Sequence, residues 1–507
     1  MMWDRARTLD RRMRRKTLDV GLLWPVLITQ AVLTLPWLWR TAPFTDEALY
    51  LRAGHQVWAH WLHNAPLPAY ADYFSGAPVF YPPLGAALDS AGGLAAARGL
   101  SLVLMLGSTV LVYLAASRLF GRRAAFFASA LFAVCGLAVH NGAFAAFNPL
   151  ALFLLAVGAW AAANAGDEGY RWIAVCAAAL ALANVAKYAT LAWDPLVIGI
   201  VALHGWGKGV ADALGRGFSL AATVAVLDAG LLLLGGAQYV TGVRITTVFR
   251  TLHFGEYQSP AVIAWRAFVM TGALVLPALL GVIVSVARRE SLPVIALIAL
   301  LAAGGLIAPV DQAHLGQIGA LDKNLCFGLP FVAVAAGYTI SVIIDWAEHR
   351  LPAGRFTGIA AGGALILLVL ISGRVVPVQF RGQGIAVASR IVSAVRTGYR
   401  RGTYILTDGG GRVEQYYLPA IPDANWLQVF NNPSPALLTR IKSRLCGGHV
   451  SVVILKMVQG SYYRKYDYQI LNVIAGMRHR LAVTTGQGGH NTQVWQLASP
   501  GGDRSCP

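Results

Sequence analysis

Residues 325–344 read LCFGLPFVAVAAGYTISVII, a run of 20 residues that contains no charged side chain. A helix of about 20 apolar residues is long enough to cross the hydrocarbon core of a bilayer. The whole chain has the same character, because 56% of its 507 residues are apolar and 13% are charged. Soluble domains are about half apolar and a quarter charged. The sequence therefore predicts an α-helical polytopic membrane protein.

Ten other stretches are candidate spans. Six are comparably apolar: 20–39, 99–116, 218–234, 263–286, 292–308 and 358–371. Four are shorter, Ala-rich or interrupted: 124–139, 149–163, 172–186 and 191–203, the last of which contains Asp194-Pro195. Such segments are typical of helices that are buried in a bundle or broken at a site. We predict about 11 transmembrane helices from these lengths.

The Lys and Arg residues indicate an orientation, because cytoplasmic loops are enriched in both. The N-terminal tail, residues 1–19, holds seven of them between Arg5 and Lys16. With that tail in the cytoplasm, the short loops near residues 120, 170, 208, 288 and 350 also lie inside. We therefore expect a multi-pass protein of the plasma or inner membrane with a cytoplasmic N-terminus. Loss of one span near Asp194 would move Lys323 and the C-terminal region to the inside.

Two regions interrupt the membrane bundle, which we place at residues 20–373, and both are expected outside. The first is loop 41–97, in which residues 46–60 form an amphipathic helix suited to the interface. The second is region 374–507, which reads as a small extracytoplasmic α/β domain. Its predicted strands are 403–407, 450–455 and 492–497, and its predicted helices are 385–396, 435–445 and 463–477.

The formal net charge of +18 is spread over the loops and the tail. Because it forms no single stripe, the lipid bilayer is a better partner for it than nucleic acid. Cys446 and Cys506 both fall in the outer region, where they either pair or remain free thiols.

The most informative polar stretch is Thr45-Asp46-Glu47, just after the first span. A partly desolvated carboxylate at the mouth of a membrane bundle can act as a general base. Acidic residues also favour the first turn of a helix, so a capping role for Thr45 or Asp46 is the alternative.

The chain resembles the GT-C glycosyltransferases, and most closely the protein O-mannosyltransferase and lipid A aminoarabinose transferase group. Five features carry the resemblance, which covers the bundle as far as about Ile344. They are the Asp-Glu pair, an outer loop that ends in Pro82-Pro83-Leu84, Arg98 at the start of the second span, the late Asp322-Lys323-Asn324, and a C-terminal extracytoplasmic domain. Relatives often have His or Lys before the Pro-Pro step, where this chain has Tyr81.

The resemblance implies an inverting transfer of a mannose-like or related sugar, a pentose or a hexose. The donor would be a polyprenyl-phosphate-linked sugar, and the acceptor, a hydroxyl or phosphate on the outer face, is not identified by the sequence. On this basis Asp46 is the base or positions the acceptor, and Glu47 supports it. One interpretation is a bacterial mannosyltransferase of the cell envelope.

The leaving polyprenyl phosphate is an anion and requires cationic donors near the outer leaflet. The candidate phosphate ligands are Arg52, Arg98, Lys187, Arg266 and Lys323. Lys187 and Lys323 are the strongest of these candidate phosphate ligands. Each is equally compatible with a lysine whose side chain only snorkels to the membrane interface. The candidate substrate-binding residues are Asp72, Tyr81, Tyr188, His253, Glu256, His314 and Asp322.

No cofactor is assigned, and a divalent metal remains one option. His253 with Glu256, and Asp311 with His314, supply suitable ligand types without a diagnostic spacing. The competing hypothesis is a transporter or flippase of lipid-linked sugars or another amphiphile. A transporter requires polar residues deep in several spans, and the sequence offers few apart from Asp228.

Overall fold

The computed structural model describes residues 20–72, 74–247, 258–350, 354–373, 384–408, 411–429, 434–458, 463–477, 479–487 and 490–498. The chain divides into two compact units: unit 1 is Met1–Leu38 with Ala53–Pro377, and unit 2 is Trp39–Arg52 with Val378–Pro507. The larger segment of unit 2 begins at Val378, close to residue 374, where the C-terminal domain was predicted to begin. Unit 2 also contains residues 39–52, because Thr41 bridges to Gly384 and Arg52 pairs with Asp423.

Unit 1 is entirely helical over its described residues. Its helices are α1 (Leu23–Thr34), α2 (Trp37–Arg40), α3 (Thr45–His63), α4 (Tyr81–Phe120), α5 (Arg122–Val134), α6 (Gly136–Asn141), α7 (Phe147–Glu168), α8 (Tyr170–Ala186), α9 (Asp194–Gly205), α10 (Val210–Thr247), α11 (Pro260–Ala287), α12 (Leu292–Ala303), α13 (Ile307–Leu315), α14 (Leu321–Arg350) and α15 (Gly354–Ser372). The boundary between the units falls inside α2 and α3. Residues 39–52 are therefore described with unit 2.

Within the described residues, six helical segments are long and apolar enough to cross a membrane. They are α4, α10, α11, α14, most of α7, and the segment Tyr188–Lys208, which contains α9. Helices α12 and α13 form a bent pair, with an angle of 46°, that adds a seventh. Helix α8 and the segment Gly358–Ser372 are shorter and also apolar. The polytopic helical fold is thus confirmed, and the count of 11 spans stays a prediction.

Helix α14 contains residues 325–344 and is buried along nearly its whole length. Glycines allow its neighbours to approach closely. A Cβ atom added to Gly337 would lie 2.5 Å from the Ala124 carbonyl oxygen in α5. Membrane helices pack through such small residues because lipid supplies no hydrophobic driving force between helices. The uncharged run 325–344 is therefore buried inside unit 1 and is not a lipid-facing helix.

Two groups of helix ends meet in unit 1. Arg123, at the start of α5, forms ion pairs with Asp345 and Glu348 near the end of α14. Elsewhere the Ala77 amide donates to the Val185 carbonyl oxygen at 2.9 Å, and the rings of Phe74 and Phe147 lie 6.0 Å apart. The segment before α4, the start of α7 and the end of α8 thus lie together at one end of unit 1.

Unit 2 contains a five-stranded sheet. Its strands are β1 (Tyr404–Asp408), β2 (Trp426–Val429), β3 (Val450–Val458), β4 (His479–Gln487) and β5 (His490–Leu497), in the order β2-β1-β3-β5-β4. Its helices are α16 (Ile385–Gly398), α17 (Arg412–Tyr417), α18 (Pro435–Cys446) and α19 (Tyr463–Ala475). Strands β2 and β3 run parallel to β1, and β5 runs antiparallel to β3 and β4. The three predicted strands and three predicted helices are confirmed, and β2 and β4 were not predicted.

Alternating residues of the sheet form two apolar layers. Ile405 and Val452 pack on α16, whereas Leu406 and Val453 pack with α18 and α19. Cys446 is disulfide-bonded, and Cys506 lies outside the described residues. Cys135, Cys176 and Cys326 are free thiols, buried in unit 1.

A buried carboxylate pair lies where β1 ends. Asp408 and Asp467 of α19 are 3% and 0% exposed. Asp408 Oδ2 accepts the Lys456 backbone N–H, whereas Asp408 Oδ1 and both Asp467 oxygens have no hydrogen-bond donor among the described residues. Burial and the neighbouring Asp467 raise the pKa of Asp408 to about 8. Burial raises the pKa of Asp467 to about 7, so the two groups share a proton near neutral pH.

Candidate functional site

The acidic pair lies in the first turn of α3, within unit 2. Glu47 is fully buried, and its Oε2 accepts the Phe44 backbone N–H at 2.9 Å. This contact is one half of a capping box, in which the third residue of a helix reaches back to the backbone in front of it. Asp46 is half-buried beside it. A capping contact expected of Thr45 or Asp46 is therefore made by Glu47.

The later part of α3 packs on the first turns of α4, both within unit 1. A Cβ atom on Gly54 would lie 1.9 Å from the Pro82 carbonyl oxygen, so only glycine fits. Trp58 Nε1 donates to the Pro83 carbonyl oxygen at 2.9 Å, and His55 Nε2 lies 2.8 Å from Asp89 Oδ2. The Pro-Pro step that carried the resemblance is thus the surface on which α3 rests.

Lys187 is a buried cation at the end of α8. Lys187 is 6% exposed, and its Nζ donates to Ser75 Oγ at 3.0 Å. The Tyr188 backbone N–H donates to the Ser75 carbonyl oxygen, also at 3.0 Å. A Cβ atom on Gly76 would lie 2.1 Å from the Ala186 carbonyl oxygen. The segment before α4 is therefore held tightly against the end of α8, where it positions the ammonium group.

Lys323 lies in the first turn of α14. Its carbonyl oxygen accepts from Asn148 Nδ2 at 3.2 Å and from Cys326 Sγ at 2.8 Å. Asp322 is 2% exposed, and its Oδ1 accepts the Lys323 backbone N–H at 3.0 Å. Lys187 lies close enough to Cys326 to act on it electrostatically. The two lysines therefore belong to the same end of unit 1.

A polar cluster that the sequence did not reveal joins α8, α9 and α10. Asn184 Nδ2 donates to Asp194 Oδ2 at 2.9 Å and to Asp228 Oδ2 at 3.0 Å. Thr190 Oγ1 donates to Asn184 Oδ1 at 2.8 Å. Asp228 is thus not an isolated polar residue. The nearness of Asn184 to Lys187 in sequence, and the Asp194-Pro195 break, were the available signals.

The candidate arginines make other contacts. Arg98 is fully buried in the middle of α4, not at its start, and Nη1 donates to the Leu38 carbonyl oxygen at 3.0 Å. In unit 2, Arg52 Nη2 pairs with Asp423 Oδ1 at 2.5 Å, and Nη1 donates to the Gln415 carbonyl oxygen. Arg266 is exposed near the start of α11. Their roles as phosphate ligands stay predictions.

The candidate substrate residues differ in their surroundings. Tyr81 is fully buried at the start of α4, with its ring 5.4 Å from that of Phe147. Tyr188 is 6% exposed, and its ring lies 5.5 Å from that of Tyr239. Asp72 is half-buried in a short 3₁₀ helix, and His314 is exposed in α13. His253 and Glu256 lie outside the described residues.

The described residues bring no three His, Cys, Asp or Glu side chains together in a group that suits a metal ion. Asp311 and His314 therefore belong to no such group within the part of the chain that is described.

No family model matches the sequence, and no curated protein does. Solved structures do match. ArnT from Cupriavidus metallidurans bound to undecaprenyl phosphate aligns with a TM-score of 0.61 and 12% identity, over 96% of this chain and 100% of ArnT. The archaeal oligosaccharyltransferase AglB from Archaeoglobus fulgidus, in complex with an inhibitory peptide and a dolichol-phosphate, aligns with a TM-score of 0.58 and 13% identity. That alignment covers 90% of this chain and 70% of AglB.

These values establish a common fold at low sequence identity. The fold implied by the resemblance is confirmed along nearly the whole chain: it is the fold of the GT-C membrane glycosyltransferases.

Proposed function

We propose that this chain is a membrane glycosyltransferase that moves a mannose-like or related sugar from a polyprenyl-phosphate carrier to an acceptor hydroxyl or phosphate. The observation that carries the proposal is the buried Lys187, held by Ser75 at one end of unit 1. A buried cation in a membrane bundle is a functional site by default. The shared fold with ArnT bound to undecaprenyl phosphate supports a lipid phosphate as its partner.

The proposed reaction is a single inverting displacement. The acceptor oxygen attacks the anomeric carbon, the bond from that carbon to the phosphate oxygen breaks, and the acceptor proton passes to the Asp46 carboxylate. Polyprenyl phosphate leaves as an anion, which Lys187 and the N-terminus of α14 at Lys323 stabilise. Glu47 fixes the turn that carries Asp46 through its bond to the Phe44 amide. We propose an extracytoplasmic site, which the disulfide at Cys446 supports.

The test is an Asp46→Asn variant, assayed for transfer from a polyprenyl-phosphate-linked sugar in liposomes. We expect turnover to fall at least about 100-fold without loss of thermal stability, because removal of a general base costs roughly 10²–10⁴-fold. Asp345→Asn is the matched control, since Asp345 is an exposed carboxylate paired with Arg123. Unchanged turnover in Asp46→Asn would remove Asp46 as the base.

A further inference from the structure

We propose that the carboxylates of Asp194 and Asp228 form the subsite for the glycosyl group of the donor, where they accept hydrogen bonds from its hydroxyl or ammonium groups. This inference rests on the proposed function and names the part of unit 1 that reads the sugar. The lipid phosphate would lie at Lys187, three residues along the chain from Asn184.

The first step of the argument is the fixed position of Asn184. Its two amide hydrogens are both used, one on each aspartate, and its carbonyl oxygen accepts from Thr190. Thr190 Oγ1 also lies 2.9 Å from the Lys187 carbonyl oxygen. The amide therefore holds two carboxylates from α9 and α10 at a set separation. Such support from neighbouring groups is what a binding site requires for precise recognition.

The second step is the acceptor capacity that remains. Asp194 is 5% exposed, and its Oδ1 has no hydrogen-bond donor among the described residues. A carboxylate offers about four acceptor positions, and a buried oxygen without a donor is costly. Asp228 is half-buried and faces the same amide. A ligand that brings donors would satisfy both groups, and a glycosyl group brings several hydroxyls.

The third step is location. Asn184 lies in the last turn of α8, which ends at Ala186, directly before Lys187. Asp194 is the first residue of α9, so the cluster lies at the end of α8 where Lys187 lies. Tyr188 and Tyr239 cross edge to face beside it, and aromatic rings of this kind contact sugars well.

Two other roles for the cluster fit less well. The described residues supply no third carboxylate, His or Cys for a metal ion. A purely structural clasp between helices would be better served by a paired set of donors and acceptors, whereas this set has a surplus of acceptors. A bound donor lipid supplies what is missing.

The test compares three lipids by native mass spectrometry of the full chain in detergent. They are undecaprenyl phosphate, undecaprenyl-phosphate mannose and undecaprenyl-phosphate 4-aminoarabinose, which separate hydroxyl from ammonium recognition. We expect the wild type to prefer one glycosyl lipid over the bare lipid. Asp194→Asn and Asp228→Asn should each lower that preference about tenfold. Affinity for the bare lipid should stay level or rise, because a negative charge near the phosphate is removed.

Asp212→Asn is the control, since Asp212 lies in the first turn of α10 and pairs with Arg216 at 2.7 Å. It should leave the preference intact. If Asp194→Asn does not fold, the half-buried Asp228 provides the second variant. A wild type without preference for either glycosyl lipid, or aspartate variants that retain the preference, would overturn the inference. A wild type that binds none of the three lipids would instead refute the proposed function.

Discussion

At the scale of single residues, Lys187 has the surroundings that best suit a lipid phosphate. Replacing it with Gln keeps a similar length and removes the charge. We expect affinity for undecaprenyl phosphate to fall at least about tenfold, because hydrogen bonds to charged groups are worth roughly 1.5–3 kcal/mol. Equilibrium binding in detergent measures this.

Lys208→Gln is the control for this variant, because Lys208 is exposed and follows α9 at its far end. Its affinity for the lipid should match the wild type. Equal affinity in the Lys187 variant would mean that this lysine only snorkels.

The Asp408–Asp467 pair predicts a pH dependence for unit 2. Both pKa values are raised above the unfolded value of 3.8. The stabilisation from the shared proton is therefore complete below about pH 4 and is lost as the pH rises through about 7 and 8. Stability should fall with a slope of up to about 1.4 kcal/mol per pH unit for each proton released. Hydrogen exchange of the β1 amides between pH 5 and 9 measures it.

Asp467→Asn should flatten this dependence, because the amide donates a hydrogen bond to an ionised Asp408. Asp423→Asn is the control, since Asp423 is partly exposed and pairs with Arg52. It should keep the wild-type slope above pH 6. A wild type whose β1 protection rises with pH would contradict the shared proton.

The sequence predicted individual residues unevenly. Lys187 and Lys323 stand out because each is a cation at the end of an apolar span, where a lipid phosphate would lie. Ser75 and Asn184 do not stand out, since neutral polar residues are common, and their importance comes from contacts between segments that are distant in sequence. Glu47 was predicted as a support for Asp46, and its bond to the Phe44 amide was not.

At the scale of elements, the packing of α3 on α4 depends on Gly54. In an open helix position, Gly→Ala is stabilising by roughly 0.5–1 kcal/mol. At Gly54 the added Cβ would overlap the Pro82 carbonyl oxygen at 1.9 Å, so we expect a net loss of about 1–3 kcal/mol. The temperature of thermal unfolding and the transfer activity should both decrease.

Gly99→Ala is the matched control in α4, because nothing lies within 4 Å of the added Cβ atom. It should be neutral or mildly stabilising. If Gly54→Ala unfolds at the same temperature as Gly99→Ala, then α3 does not rest on the Pro-Pro step as described.

Element boundaries were predictable where the hydrophobic pattern is periodic, as in the amphipathic helix expected at 46–60 and found as α3. The start of α4 was not predicted. Gly92-Gly93 and the polar residues before this pair interrupt the hydrophobic pattern of a helix that begins at Tyr81. Strand β2 has four residues and no clear alternation. Its place in the sheet depends on its parallel pairing with β1, which local sequence does not encode.

At the scale of the whole molecule, the fold class was predictable from hydropathy because a bilayer imposes helices of known length. The distinction between lipid-facing and buried spans was not. Helix α14 is as apolar as α10, yet α14 is buried and most of α10 is exposed. That difference arises from which helices surround each one.

The central claim is that this chain transfers a lipid-linked sugar and does not merely move it. The most direct measurement follows a radiolabelled, lipid-linked sugar extract in proteoliposomes and records both the chemical form and the leaflet of the label. The account predicts that label leaves the lipid fraction and that free polyprenyl phosphate accumulates in equal amount, with both signals lost in Asp46→Asn. Label that remains on its lipid and appears on the opposite leaflet would contradict the account and identify a flippase.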